Sequence, residues 1–331
     1  MIIKPLTLSY LTLVGVISGG SAIGADGTGL QLSRRAVTEA IDGIAEQGQG
    51  LLRWSNGGFL YTSPGGGIAP SFFTLGRDGK LLSSTKLTIP GASRVICHAA
   101  DRAGDNSIVF AGLAWSSEGQ RTPFLAWLSP EGRTETVIST EPYIPFALSV
   151  APDGTAWTLG YETLNHDALD PGINPNAKIL RHFDRSGKLI GSAWPQSGFE
   201  TGAGLYSISK GYLFVTKDRI GWYSFSTHGE GRYVEADTRN MNQDVFPGLP
   251  RSPSNRMVDA FALTEAGDVL LSMEDRTPAG ITTYFLDRAT SKWRPLPTPS
   301  LGSYGPILLG TDQADVVLQY ERSAAFYSLT R

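Results

Sequence analysis

The sequence predicts an all-β chain folded as a six-bladed β-propeller, and three observations carry that expectation. Aromatic and β-branched strand pairs joined by tight turns recur along the chain. Ala147–Leu159, turning at Pro152-Asp153-Gly154, is the clearest first hairpin of a unit; Ile179–Ile190, turning at Arg185-Ser186-Gly187-Lys188, is the clearest second hairpin. The units repeat at a period of roughly 40–55 residues, the length of four strands and their loops. Composition agrees: 39 glycines and 20 prolines suit many short strands, and 41% hydrophobic against 18% charged residues is enough for a core. A closed ring is commonly one domain at a length of 331 residues.

Residues 1–25 read as an export signal. Lys4 supplies a thin positive start, and the apolar run Leu6–Ile17 is too short to span a bilayer. Small residues follow, with cleavage expected after Ala22 or Ala25. The single cysteine, Cys97, lies far from the signal and follows Val95-Ile96, so it reads as a buried strand thiol and leaves no internal disulfide. The mature chain, residues 26–331, is expected in the periplasm or secreted, with no membrane span after cleavage, as a monomer. A net charge of −3 gives nucleic-acid phosphate or an anionic membrane little to bind.

Ser33–Gln47 predicts a short helix. Leu32, Ala36, Val37, Ala40, Ile41 and Ile44 recur at spacings of three and four, and Ser33 suits an N-cap. Blades follow over 51–331. First hairpins are expected at Asn56-Gly57-Gly58, Gly104-Asp105-Asn106, Pro152-Asp153-Gly154, Lys210-Gly211, Ala266-Gly267-Asp268 and Asp312-Gln313. Second hairpins are expected at Arg77–Lys80, Pro130–Gly132, Arg185–Lys188, Thr227–Gly229 and Ala289–Ser291. Asp-Gly and Ser-Gly supply the positive φ such turns need. The sixth unit has only three strands before the chain ends, which would leave an open sheet edge. Leu30-Gln31-Leu32 is the expected missing strand, so that N- and C-terminal segments share one blade.

The turn motifs Val150–Trp157 and Phe183–Leu189 resemble those of bacterial secreted six-bladed propellers related to NHL-repeat and gluconolactonase-like proteins. The resemblance covers about residues 51–331 and implies the fold. Gluconolactonase-type propellers hold a divalent metal with Glu, Asn and Asp on inner strands. The corresponding glutamate has no counterpart in Leu51-Leu52-Arg53-Trp54-Ser55, a departure that weighs against lactonase activity.

The turns of a blade are short on one face, whereas connections between blades and the B–C loops are long and surround the other mouth of the channel, where ligands usually bind. Glu162–Asn176 offers Glu162, His166, Asp167 and Asp170; carboxylates and amides of this kind suit Ca²⁺ or another divalent cation. Asp237–Arg256 reads as a second long loop on that face. Tyr143, Arg256, Asp259 and Tyr304 form the expected floor, and Glu274 joins them as an acidic candidate. Trp127, Trp157 and Phe183 read as packing within strands; Trp115, Tyr143, Tyr161, Trp194 and Tyr304 stand at loop edges, where rings stack on sugars or anchor partners. No HExxH, Gly-x-Ser-x-Gly elbow, P-loop or dinucleotide fingerprint is present. These features point to a module binding a small molecule, a glycan or an envelope protein. The rival is a metal-assisted hydrolase or lyase acting on a lactone or glycan, with Glu162 or Glu274 as base and His166 as acid or ligand.

Overall fold

The computed structural model describes residues 30–38, 51–62, 70–162, 174–195, 213–225, 230–250, 257–276, 279–298, 306–312, 315–320 and 323–330, all within one compact unit, Leu30–Thr330. These residues form six four-stranded antiparallel sheets, the blades of the propeller. Blade one is β2 (Leu51–Ser55), β3 (Gly58–Thr62), β4 (Ser71–Leu75) and β5 (Leu81–Lys86). Blade two is β6 (Arg94–Arg102), β7 (Ile108–Trp115), β8 (Arg121–Leu128) and β9 (Thr134–Ser139). Blade three is β10 (Tyr143–Val150), β11 (Ala156–Glu162), β12 (Lys178–Phe183) and β13 (Leu189–Pro195). Blade four is β14 (Leu213–Val215), β15 (Arg219–Phe225), β16 (Gly231–Asp237) and β17 (Gln243–Pro247). Blade five is β18 (Met257–Leu263), β19 (Val269–Arg276), β20 (Ala279–Asp287) and β21 (Lys292–Pro295). Blade six takes β22 (Ile307–Asp312), β23 (Asp315–Tyr320) and β24 (Ser323–Thr330) from the C-terminus, and β1 (Gln31–Thr38) from the N-terminus.

Blades stack face to face, so their inner strands are covered on both sides and read as nearly unbroken apolar runs. β7 is buried at six of its eight positions, whereas the outermost β5 and β9 are mostly exposed or half-buried. The core is therefore a set of layers between blades. At the closing seam Trp54, Phe59 and Leu75 of blade one meet Leu309, Val317 and Phe326 of blade six. The Trp54 ring stands edge-on to Phe326 at 5.0 Å, and the Arg77 guanidinium lies 4.4 Å from the Phe326 ring centre.

The terminal closure is as expected, but longer. β1 pairs with β24 from Gln31↔Thr330 to Thr38↔Ala324. The expected helix over 33–47 therefore begins as strand through Thr38, and its remaining residues lie outside those described. The open edge of β24 explains the difference: its unpaired N–H and C=O groups give β1 a ladder that a helix would forgo. The helical spacing finds no core here, since Ala36 and Val37 are exposed.

Blade four also departs from the sequence reading. Its first hairpin turns at Thr216-Lys217-Asp218, and its second at Thr238–Asn242, where Met241 takes the left-handed conformation with φ 58°. Asp237–Arg256 is thus not one loop: Asn240 and Asn242 belong to the second turn, and Asp244 and Phe246 lie in β17. Neither turn carries a glycine, and the nearby glycines drew the signal to Lys210-Gly211 and Thr227–Gly229. The latter falls between β15 and β16, a B–C connection, and both lie outside the described residues.

Charged side chains tie neighbouring blades. Arg77 reaches Asp315, Arg185 reaches Asp105, and Arg288 reaches Glu235, each arginine following the third strand of an odd-numbered blade. Glu235 is buried and also accepts from the Tyr233 hydroxyl at 2.7 Å. Burial opposes its ionisation, but Arg288 and Tyr233 outweigh that and hold its pKa below the usual glutamate value. At Asp105, hydrogen bonds from Ser107 and Arg185 likewise overcome burial and bring the pKa to about 2. Carboxylates with depressed folded pKa values stabilise the fold above their unfolded pKa, and that contribution is lost as pH falls through the folded value. Stability should therefore drop below about pH 4.5. Acid titrations of Glu235→Gln and Asp105→Asn should each be flatter in that range than the wild type; unchanged slopes would mean that these seams do not carry the acid sensitivity.

Candidate central-channel site

The innermost strand of each blade presents an unpaired backbone edge to the channel, and side chains from adjacent blades cover it. Ser55 Oγ donates to the Arg102 carbonyl at 3.3 Å, and the Thr311 hydroxyl donates to the Leu263 carbonyl. Asp101 Oδ2 accepts from Val150 N–H at 2.7 Å, and Ser149 Oγ accepts from Val215 N–H at 3.1 Å. Asn56, left-handed at φ 47° in its Asn-Gly turn, donates to the carbonyls of both Arg102 and Val150. This belt lies where the innermost strands enter their first hairpin turns.

Arg53 of β2 crosses the channel just behind the belt. Its Nη1 donates to the Leu148 carbonyl of blade three at 3.2 Å, and its Nη2 lies 3.5 Å from Asp101 Oδ2 of blade two. Its guanidinium carbon is 5.5 Å from the centre of the Phe214 ring of blade four. Four blades thus meet at one cation. Asp101 is fully buried and serves three partners: Arg53, the Val150 N–H and the Arg102 N–H.

The belt borders a cavity of about 680 Å³ at the hairpin-turn end of the channel. All six blades line it: Asn56 from blade one, Gly104 from two, Val150 from three, Phe214 and Lys217 from four, Glu265 from five and Thr311 from six. Its walls are largely apolar, through Val150, Pro152, Phe214, Val215 and Leu263. Most polar groups inside are already committed to the belt. The Ser149 hydroxyl proton and Asn56 Oδ1 have no partner among the described residues, nor do the exposed side chains of Lys217 and Glu265.

This end is opposite to the long-loop mouth at which the sequence placed its candidates. Of those, Tyr143 is wholly buried, its hydroxyl bonded to Thr158 and to the Ile179 carbonyl inside blade three. Burial raises its pKa far above the usual tyrosine value. Glu162 stands opposite Tyr143 in the ladder and is ion-paired with Arg181, with Asn174 donating to its other oxygen. Glu274 is half-buried in β19, opposite Met257. Asp259 falls at a bulge of β18, between Val258 and Ala260. His166, Asp167, Asp170, Arg256, Tyr304 and the side chain of Asp259 lie outside the described residues, as do residues 1–25. Among the described residues no three His, Cys, Asp or Glu side chains gather as metal ligands do.

The bulge at Asp259 has counterparts at His98 and Phe146, each the skipped residue of its innermost strand. His98 stacks on Phe146 at 4.9 Å, and Phe146 on Tyr161 at 4.8 Å, across blades two and three. The His98 ring is fixed by an Nδ1 contact of 2.9 Å to the Pro145 carbonyl, and burial lowers its pKa. Cys97 beside it donates to the Ala99 carbonyl, and burial pushes its thiol up to about 12, as expected of a structural cysteine. Trp127, Trp157 and Phe183 pack inside the fold as expected; Trp194 is buried with them, while Trp115 and Tyr161 are half-buried.

The chain matches no protein-family model and no curated protein. Among solved structures it is similar to oligogalacturonate lyase from Vibrio parahaemolyticus, at 10% identity over 82% of this chain and 74% of that one, with a TM-score of 0.46. It is also similar to a candidate 6-phosphogluconolactonase from Bacteroides uniformis, at 15% identity over 74% and 68%, TM-score 0.43. The β-propeller domain of the Trilobed protease from Pyrococcus furiosus aligns at 13% identity over 75% and 68%, TM-score 0.41. These likenesses concern the propeller fold, and no residue role is carried over from them.

Sequence reasoning missed Asn56, Ser149, Lys217, Glu265 and Thr311 as site residues. Asn56-Gly57 was legible as a turn, but nothing in the order of residues says that six short turns face one cavity. That follows only once the ring is closed.

Proposed function

We propose that the chain is an exported β-propeller that binds a small ligand in the hairpin-turn end of its channel. The observation that carries this reading is the cavity of about 680 Å³ lined by all six blades. Its size lies within the range of roughly 300–1,000 Å³ common to small-molecule sites, and its apolar walls with a few free polar groups match their chemistry. The site is preformed, because the belt that fixes its walls also seals the blade edges. A rival catalytic site at the long-loop mouth would need a free base, and Glu162 is instead held by Arg181 and Asn174.

The test is a thermal-shift screen of the mature chain against sugars, lactones, amino acids and divalent cations, with and without EDTA. A ligand bound only to the folded state raises the melting temperature. The expected hit loses its effect in Lys217→Gln or Glu265→Gln and keeps it in Glu162→Gln. A shift that depends on a cation, vanishes with EDTA and is lost in Glu162→Gln or Asp167→Ala would contradict this reading. It would favour metal-assisted hydrolysis or elimination at the long-loop mouth.

A further inference from the structure

Lys217 and Glu265 occupy the first hairpin turns of adjacent blades, four and five, at the rim of the cavity. Neither side chain has an ion-pair or hydrogen-bond partner among the described residues. Elsewhere in the first turns Asp105 pairs with Arg185, Asp218 pairs with Arg239, and Asp153 accepts from Thr155. The wall of the same cavity is apolar, with Phe214, Val215 and Leu263, and Ser149 keeps a hydroxyl proton that no described residue accepts. A neutral polyol would find few partners there, because Ser55, Thr311 and the Asn56 amide group already serve belt carbonyls. A simple anion would meet Glu265, and a simple cation would meet Lys217. A molecule with an apolar body and both charges at one end suits all three elements.

On the reading that the channel cavity binds a ligand, we propose that this ligand is a zwitterionic α-amino acid or short peptide with apolar side chains. Its carboxylate would pair with Lys217, its ammonium with Glu265, and its side chain would fill the space against Phe214 and Leu263. Both charged side chains are exposed, so their pairing with a ligand is weak until it displaces water from the mouth. The apolar insertion supplies most of the affinity, and the two charges set the choice among ligands.

Calorimetric titration of the mature chain with leucine, phenylalanine and leucyl-leucine tests this, with N-acetyl-leucine, leucinamide and a neutral hexose as comparisons. The zwitterions should bind, and blocking either terminus should weaken binding about tenfold or more. Lys217→Gln should remove the penalty for leucinamide while keeping that for N-acetyl-leucine; Glu265→Gln should do the reverse. Both positions are exposed, so the variants should fold, which their melting curves would verify. Equal binding of blocked and unblocked forms, or penalties that ignore the two substitutions, would overturn the ligand class. No binding of any zwitterion would overturn it too. The channel reading would survive either result if the hexose, or a hit from the wider screen, bound with sensitivity to Lys217→Gln or Glu265→Gln, and would fall with it otherwise.

Discussion

Replacing Asp101 with alanine is expected to cost about 3–5 kcal/mol of stability, the loss typical when one partner of a buried charge pair is removed. In melting temperature this is on the order of 5–10 °C for a chain of this size. Asp101 is fully buried, and its two oxygens serve the Arg102 N–H, the Val150 N–H and the Arg53 guanidinium. Its removal leaves a cation inside the channel without its counter-charge, and an innermost strand with an uncovered N–H. Asp101→Asn keeps one acceptor and should lie between alanine and the wild type. Arg53→Met, which removes the stranded cation, should recover part of the loss in the double variant with Asp101→Ala. Near-wild-type melting of Asp101→Ala would show that the belt does not hold the ring at this level.

Deleting residues 26–38 should have a comparable effect by a different route. β1 supplies the fourth strand of blade six and pairs with β24 at seven positions. At roughly 0.5–1.5 kcal/mol per hydrogen bond the ladder is worth several kcal/mol. The edge left behind is a template for intermolecular pairing, so aggregation should accompany the lower melting temperature. The shorter deletion 26–33 removes only the first three strand residues and should cost less. An unchanged melt and a monodisperse chain after the longer deletion would contradict the closure.

The architecture was legible because it is written in local chemistry. Asp78-Gly79, Asp153-Gly154 and Ser186-Gly187 place glycine where φ is positive, at 77°, 84° and 83°, and each is a turn of the ring. Closure by Leu30-Gln31-Leu32 was legible too, from the count of strands in the last unit. The reading slipped in blade four, whose own turns lack glycine while Gly211 and Gly229 lie nearby. Met241 holds the left-handed position of blade four's second turn, and Thr216-Lys217-Asp218 turns with no glycine at all. The helix expected over 33–47 failed over its first residues because an edge 286 or more residues away in sequence offered hydrogen bonds (Thr38 pairs with Ala324 and Gln31 with Thr330), about which helical periodicity has no information.

The site was less legible for a related reason. Glu162 and Tyr143 were singled out as polar groups at loop edges, yet adjacency in the ladder turns them toward Arg181 and the blade interior. Arg53, the residue that joins four blades, sits in a strand whose sequence was notable mainly for lacking a metal-binding glutamate. Lys217 and Glu265 look like ordinary solvated turn residues, 48 positions apart, until the fold sets their blades side by side.

Amide hydrogen exchange, mapped along residues 26–331 with and without the compound that most raises the melting temperature, tests the channel site most directly. Protection should concentrate at Asn56-Gly57, Gly104, Thr216-Lys217 and Leu263–Glu265, the turns that line the cavity. Protection confined to the long-loop end, around Tyr143, Glu162 and Glu274, would contradict the assignment and move the binding site to the opposite mouth.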